Sequence, residues 1–194
     1  MSKGRLEAFS DGVLAVIITI MVLELHPPHE PTLAALAEAA PTFLAYVLSF
    51  VFIGIYWNNH HHLFHSVQHV NGRILWSNNF LLFWLSLVPF TTDWMDETGF
   101  ATIPVVLYGV VLLLAGVGFF LVAHGLARLH GPDSTVAQAL GSDLKGWASP
   151  ILYVVGVLGA LINPLIGLAV YALVALIWFI PDKRFEHVLG RGTS

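Results

Sequence analysis

The chain has 194 residues, of which 57% are hydrophobic and 10% charged, with a net charge of −4 and no cysteine. Soluble domains carry roughly 25% charged residues, so this composition describes a protein that crosses a membrane several times. The lack of cysteine excludes a disulfide framework, a thiolate metal site and a cysteine nucleophile, and no basic patch suggests nucleic acid.

The first predicted span covers residues 6–25 and is ended by His26-Pro27-Pro28. Its unbroken apolar run, Gly12 to Leu23, spans about 18 Å against a hydrocarbon core of about 30 Å. A bilayer crossing therefore places Asp11 or Glu24 in or near the core. That is costly for a helix facing lipid and reasonable for one surrounded by protein or water. Lys3 and Arg5 precede the span, but its acidic residues and the absence of an A-x-A site predict a retained anchor, not a removable leader. It reads as an interior helix with the rest of the chain as its sleeve.

A short interfacial helix is predicted near 32–40. The second span, 42–65, ends in a polar run from Asn58 to His69. The third, 73–94, contains Pro89, which kinks or loosens its last turns, and an acidic loop, 93–99, follows. The fourth is 102–126, followed by a polar loop with Arg128, Pro132, Asp133, Asp143 and Lys145. The fifth is 146–162. A tight turn at Asn163-Pro164 leads into the sixth, 164–180, and then a basic tail. The expected fold is all-α, a single six-helix transmembrane domain over residues 1–194. The eight Lys and Arg residues lie at the two ends or in the second-to-third and fourth-to-fifth connections. Under the positive-inside rule this predicts that both termini are cytoplasmic.

The rise per residue brings polar groups of three spans to one depth. Asp11 lies near the inner start of the first, His60 and His61 near the inner end of the second, and Trp76 and Asn78 near the start of the third. An isolated intramembrane carboxylate costs about 2.5–3.5 kcal/mol. Imidazole, amide and indole N–H groups are suitable donors to it. A hydrogen-bonded knot around Asp11, with Ser10 as a further member, is therefore predicted. His62, His65 and His69 read as interface residues. His61 and His65, four apart on one helix, could share an ion, but no carboxylate or cysteine sits beside them in sequence, and no metal site is predicted.

At 100° per residue from Val16, Thr19 falls at about 300°, Ile20 at about 40° and Leu23 at about 340°. Arg5 and Gly12 share that face, while Ser10 and Asp11 point elsewhere. Copies of such a stripe around an axis would make apolar rings that gate by dewetting and a hydroxyl ring that replaces part of an ion's hydration. A sealed oligomeric or intramolecular core fits the stripe equally well.

These residues resemble the prokaryotic members of the lysosomal potassium channel family called transmembrane protein 175. The first span carries Arg5-x-x-x-Phe9-Ser10-Asp11-Gly12 and then Thr19. The second carries Tyr56-Trp57-x-Asn59-His60-His61-x-Leu63-Phe64. The third carries Leu75-Trp76-x-Asn78 and Ser86-Leu87-x-Pro89-Phe90-x-Thr92. The resemblance implies a homotetrameric, potassium-preferring cation channel in the cell membrane of a prokaryote, with no cofactor beyond permeant potassium. It implies a pore lined by the first helix of each subunit, without a pore loop. Carried over, Val16, Ile20 and Leu23 match the hydrophobic constriction and Thr19 the selectivity layer. Arg5, Phe9, Ser10, Asp11, His60, His61, Trp76 and Asn78 match the network that braces the pore helix. Val16 stands where a larger Ile or Leu is common, and Asn79-Phe80 replace an apolar Leu-Leu pair.

The rival reading is a proton-coupled transporter or proton-conducting protein that uses Asp11 and the histidine layer as a relay. The inverted repeats and broken midplane helices expected of many transporters are not evident. No nucleophile–base or metal motif supports a membrane enzyme.

Overall fold

Each long apolar segment is helical in the structure, a computed structural model that describes residues 3–141 and 144–179. In chain order the elements are α1 (Lys3–Leu23), α2 (Leu33–Glu38), α3 (Ala40–His65), α4 (Gly72–Ser86), α5 (Val88–Glu97), α6 (Thr102–His130), α7 (Thr135–Leu140), α8 (Leu144–Ile162) and α9 (Pro164–Phe179). Five stretches are long and apolar enough to cross a membrane: α1, α3, α4 continued by α5, α6 and α8; α9 is apolar but shorter. Asp143 and the basic tail lie outside the described residues.

Local features refine the sequence expectation. The third span loosens at Leu87, close to where Pro89 was expected to act, and Leu87 itself keeps right-handed helical angles between α4 and α5. Pro89 has no N–H to donate, the Leu87 N–H turns to the Trp84 carbonyl at 3.2 Å, and the Thr91 and Thr92 hydroxyls donate to the Leu87 and Val88 carbonyls. The acidic stretch that follows is helical through Glu97, and the turn falls on Gly99 and Phe100, both at positive φ. The fourth span runs a turn further than expected, to His130. Arg128 and His130 sit in its last turn, where cations meet the negative end of the helix dipole, and Gly131 at φ 87° ends it. The short helix expected near 32–40 is α2, capped by the Thr32 hydroxyl, which accepts from the Ala35 N–H.

Small residues set the tightest contacts. A Cβ on Gly167 would lie 2.6 Å from the Ala160 Cβ, which holds α9 against α8. A Cβ on Gly118 would lie 2.8 Å from the Leu81 Cα, so α6 meets the backbone of α4 directly. One apolar cluster centres on Phe52, Ile53, Leu85, Tyr108 and Leu112. A second, near the N-terminus of α1, holds Leu6, Phe64, Ile74 and Leu126. Inside the first cluster the Ser49 hydroxyl lies 2.8 Å from that of Thr92 and 3.0 Å from that of Tyr108, which joins α3, α5 and α6.

Gly118→Ala should loosen the bundle by about 1–3 kcal/mol, the usual cost of overpacking, because a backbone atom and not a flexible side chain blocks the added methyl. Thermal unfolding in detergent checks this; an unchanged transition would contradict the contact.

Candidate functional site

Helix α1 has two faces. Leu6, Ser10, Leu14, Ile17 and Met21, at spacings of three and four, are buried against the subunit's own bundle. On the opposite side Val16 is 57% exposed, Ile20 41% and Leu23 72% within the single chain. Thr19 lies among them, also exposed. Its hydroxyl donates to the Ala15 carbonyl at 2.9 Å, so the proton is turned back to the helix and the oxygen's lone pairs remain for another partner. Arg5 and Phe9 are exposed as well.

The buried face is fixed by a polar chain that crosses three helices. His60 Nε2 lies 2.9 Å from Asn78 Oδ1, and Asn78 Nδ2 donates to Ser10 Oγ at 3.0 Å. Ser10 in turn donates to the Leu6 carbonyl at 2.9 Å. Because the Asn78 amide nitrogen faces Ser10, its oxygen must accept, and His60 Nε2 therefore carries the proton. Each donor has one acceptor, the chain ends on a backbone carbonyl of α1, and no charge is needed. Ser10, His60 and Asn78 are all almost fully buried. The His60 ring also packs on Phe64, with centroids 4.4 Å apart.

Asp11 is not the centre of this knot, contrary to the sequence expectation. It lies about 100° around the helix from Ser10, on an exposed flank, where it accepts from the Trp57 indole N–H at 3.1 Å. Trp76, expected as its indole donor, is 77% exposed in the single chain, and the indole that reaches Asp11 is that of Trp57. His61 likewise stays outside, its ring stacked between Trp57 and His65 with centroids 6.1 and 6.0 Å apart. Trp57 was missed as a site residue. Its signal was its place in α3, one helical turn from His61 on the same flank. A further tether was invisible in the sequence: Lys3 Nζ donates to the Val67 carbonyl at 3.0 Å, which ties the start of α1 to the connection after α3.

Fold and site together define an all-helical, multi-pass membrane protein in which a neutral polar chain holds one half-exposed helix. Residues 5–89 match the family model for the endosomal/lysosomal potassium channel TMEM175. A potassium channel from Chryseobacterium sp. (strain P1-3) is 51% identical over 97% of this chain and 98% of its own length. The chain belongs to the TMEM175 family, a family of ion channels and not of enzymes. The crystal structure of a lysosomal potassium-selective channel TMEM175 homolog from Chamaesiphon minutus superposes with a TM-score of 0.81 at 26% identity, covering 93% of this chain and 97% of that one. A vertebrate relative, the endosomal/lysosomal proton channel TMEM175 of Danio rerio, is 36% identical over 50% of this chain but only 21% of its own length.

Asn78→Leu should leave the buried His60 Nε2–H unpaired, at about 1–3 kcal/mol, and remove the donor to Ser10 Oγ, whose own bond to the Leu6 carbonyl remains. Asp11→Ala, which loses one solvent-accessible bond, should cost the isolated subunit less. Comparing the unfolding transitions of the two variants in detergent checks the order; equal losses would contradict the separation of Asp11 from the buried chain.

Proposed function

We propose that the protein is a potassium-preferring channel, assembled as a homotetramer in a prokaryotic cell membrane, with α1 of each subunit lining the ion path. In this reading α1, α3, α4 with α5, α6, α8 and α9 are the six crossings, and both termini are cytoplasmic. The observation that carries it is the pair of opposed faces on α1. One face is locked to its own bundle by Ser10, Asn78 and His60. The other presents Val16, Thr19, Ile20 and Leu23 unpartnered, on a helix whose apolar run is too short to face lipid. A symmetry axis gives that second face an environment.

Around such an axis the three aliphatic side chains form narrow rings that exclude water unless they part. Thr19 supplies a ring of hydroxyl oxygens whose lone pairs are free for a dehydrating cation. The exposed acidic residues beyond the far end of α1, Glu24, Glu30 and Glu38, raise the local cation concentration at the mouth. The buried chain has His60 as its one titratable side chain and contains no carboxylate, so it favours a bracing role over a proton relay.

Reconstituted protein should carry potassium current in preference to sodium. Thr19→Ala should lower the potassium-over-sodium permeability ratio by up to about tenfold, the equivalent of one lost polar contact; an unchanged reversal potential in mixed salts would remove Thr19 from selectivity. Leu23→Trp should abolish current, and a fully conducting variant would argue against α1 as the pore wall.

A further inference from the structure

Three restraints converge on the short connection between α3 and α4, residues 66–71. Lys3 Nζ donates to the Val67 carbonyl at 3.0 Å. The Gln68 N–H donates to His130 Nε2 on α6 at 3.4 Å. The His69 ring lies against the His130 ring, with centroids 4.5 Å apart. Val67 itself is buried with Leu126 and Val136 in the second apolar cluster. Asn71 caps α4, its side-chain oxygen accepting from the Ile74 N–H at 3.1 Å. Between these two fixed points Gln68 and His69 are exposed and Val70 is half-buried. The bond from Gln68 to His130 is the one hydrogen bond, among the described residues, that ties this stretch to the bundle.

The bonds at His130 fix its tautomer. A carbonyl cannot donate, so Nδ1, 3.0 Å from the Leu126 carbonyl, carries the proton. A backbone N–H cannot accept, so Nε2 presents its lone pair to Gln68. The ring is therefore neutral while the bond to Gln68 stands. A second proton can go only to Nε2, where it displaces the Gln68 N–H and leaves two donors facing each other. Histidine is the side chain that ordinarily changes charge between about pH 5 and 8. The His130 ring is half-exposed, so solvent protons reach it.

The surroundings do not offset that loss. His69, in ring contact, adds a like charge when it too is protonated. The other charged or titratable groups on the elements that meet here are His62 and His65 at the end of α3, Lys3 and Glu7 on α1, Arg73 on α4, Arg128 on α6 and Asp133 before α7. Neither carboxylate pairs with either ring among the described residues. The end of the α6 dipole favours a cation at His130, but through the carbonyl that Nδ1 already holds, and it restores nothing to Gln68.

We propose that His130 is a pH-operated clasp: neutral, it holds the α3–α4 connection to α6 through Gln68, and protonated, it releases residues 68–70. The connection joins the ends of the two helices that carry His60 and Asn78, so the clasp acts at the base of the chain that braces α1. In the proposed topology it faces the cytoplasm. The clasp stands apart from the pore reading, because its test reads one amide and not current.

Full-length protein in phosphatidylcholine nanodiscs is followed by hydrogen–deuterium exchange at about pH 5 and about pH 8, the range over which histidine ordinarily titrates. Rates are corrected for the intrinsic pH dependence of exchange, and the Gln68 amide is resolved by electron-transfer fragmentation. That amide should lose protection about five-fold at the lower pH, the worth of one hydrogen bond. His130→Gln, whose side-chain oxygen reaches the Nε2 position without titrating, should keep protection at both. His130→Leu should show low protection at both. His69→Leu should keep the step, because His69 adds repulsion and not the bond. Equal protection of the wild-type amide at the two pH values, a step that survives in His130→Gln or His130→Leu, or a step lost in His69→Leu would overturn the proposal.

Discussion

A carboxamide sealed inside a helical bundle must find partners for both its ends, and in this protein Asn78 does so between two other helices. Its oxygen accepts a hydrogen bond from His60 on α3 and its nitrogen donates to Ser10 on α1. A hydrogen bond is directional, so the arrangement sets more than the proximity of three helices. It sets the rotation of α1 about its own axis, since only one azimuth brings Ser10 to the amide. In a medium of low dielectric a mispaired amide is expensive, and alternative rotations of α1 are correspondingly disfavoured. The chain contains no carboxylate and no ion pair, so directional hydrogen bonds and not a charge pair hold this rotation.

That rotation decides what α1 shows to the outside of the subunit. Leu14, Ile17 and Met21 follow Ser10 into the core, and Val16, Thr19, Ile20 and Leu23 are left on the other side. The proposed ion path depends on this opposition: a helix free to turn would blur aliphatic and hydroxyl positions together, whereas a locked one keeps each at a fixed place in a ring. Lys3 adds a second restraint at the start of the helix through the Val67 carbonyl. The Asp11–Trp57 bond adds a third on the flank between the two faces. Distinct residues thus anchor α1 at its start, on its back and on its side, while among the described residues its far half is held by the apolar contacts of Leu14, Ile17 and Met21.

Much of the architecture was legible because apolar run length and helix rise are properties of the chain itself. The span expected at 42–65 is observed as Ala40–His65, and the turn at Asn163-Pro164 falls between α8 and α9. Ser10, His60 and Asn78 could be grouped because matched rise places them at one depth. Azimuth was read less well. The cost of an intramembrane carboxylate drew Asp11 to the centre of the knot, although it lies about a quarter turn from Ser10 and its partner is an indole on the flank. Trp57 was passed over because its one mark, a place one helical turn before His61, points to a shared flank and not to a partner on α1. The loosening of the third span was legible from Pro89, whereas the threonine back-bonds of α5 that accompany it were not.

The central claim is that the exposed face of α1 lines the ion path, and the absence of cysteine from the chain allows a direct measurement. Single cysteines placed at Val16, Thr19, Ile20 and Leu23, and at Leu14, Ile17 and Met21 for comparison, are tested in reconstituted bilayers for block of potassium current by silver ion. The account predicts rapid block at the first four positions and none at the three buried ones. Block at Leu14, Ile17 and Met21 with Val16, Thr19, Ile20 and Leu23 unaffected would contradict it.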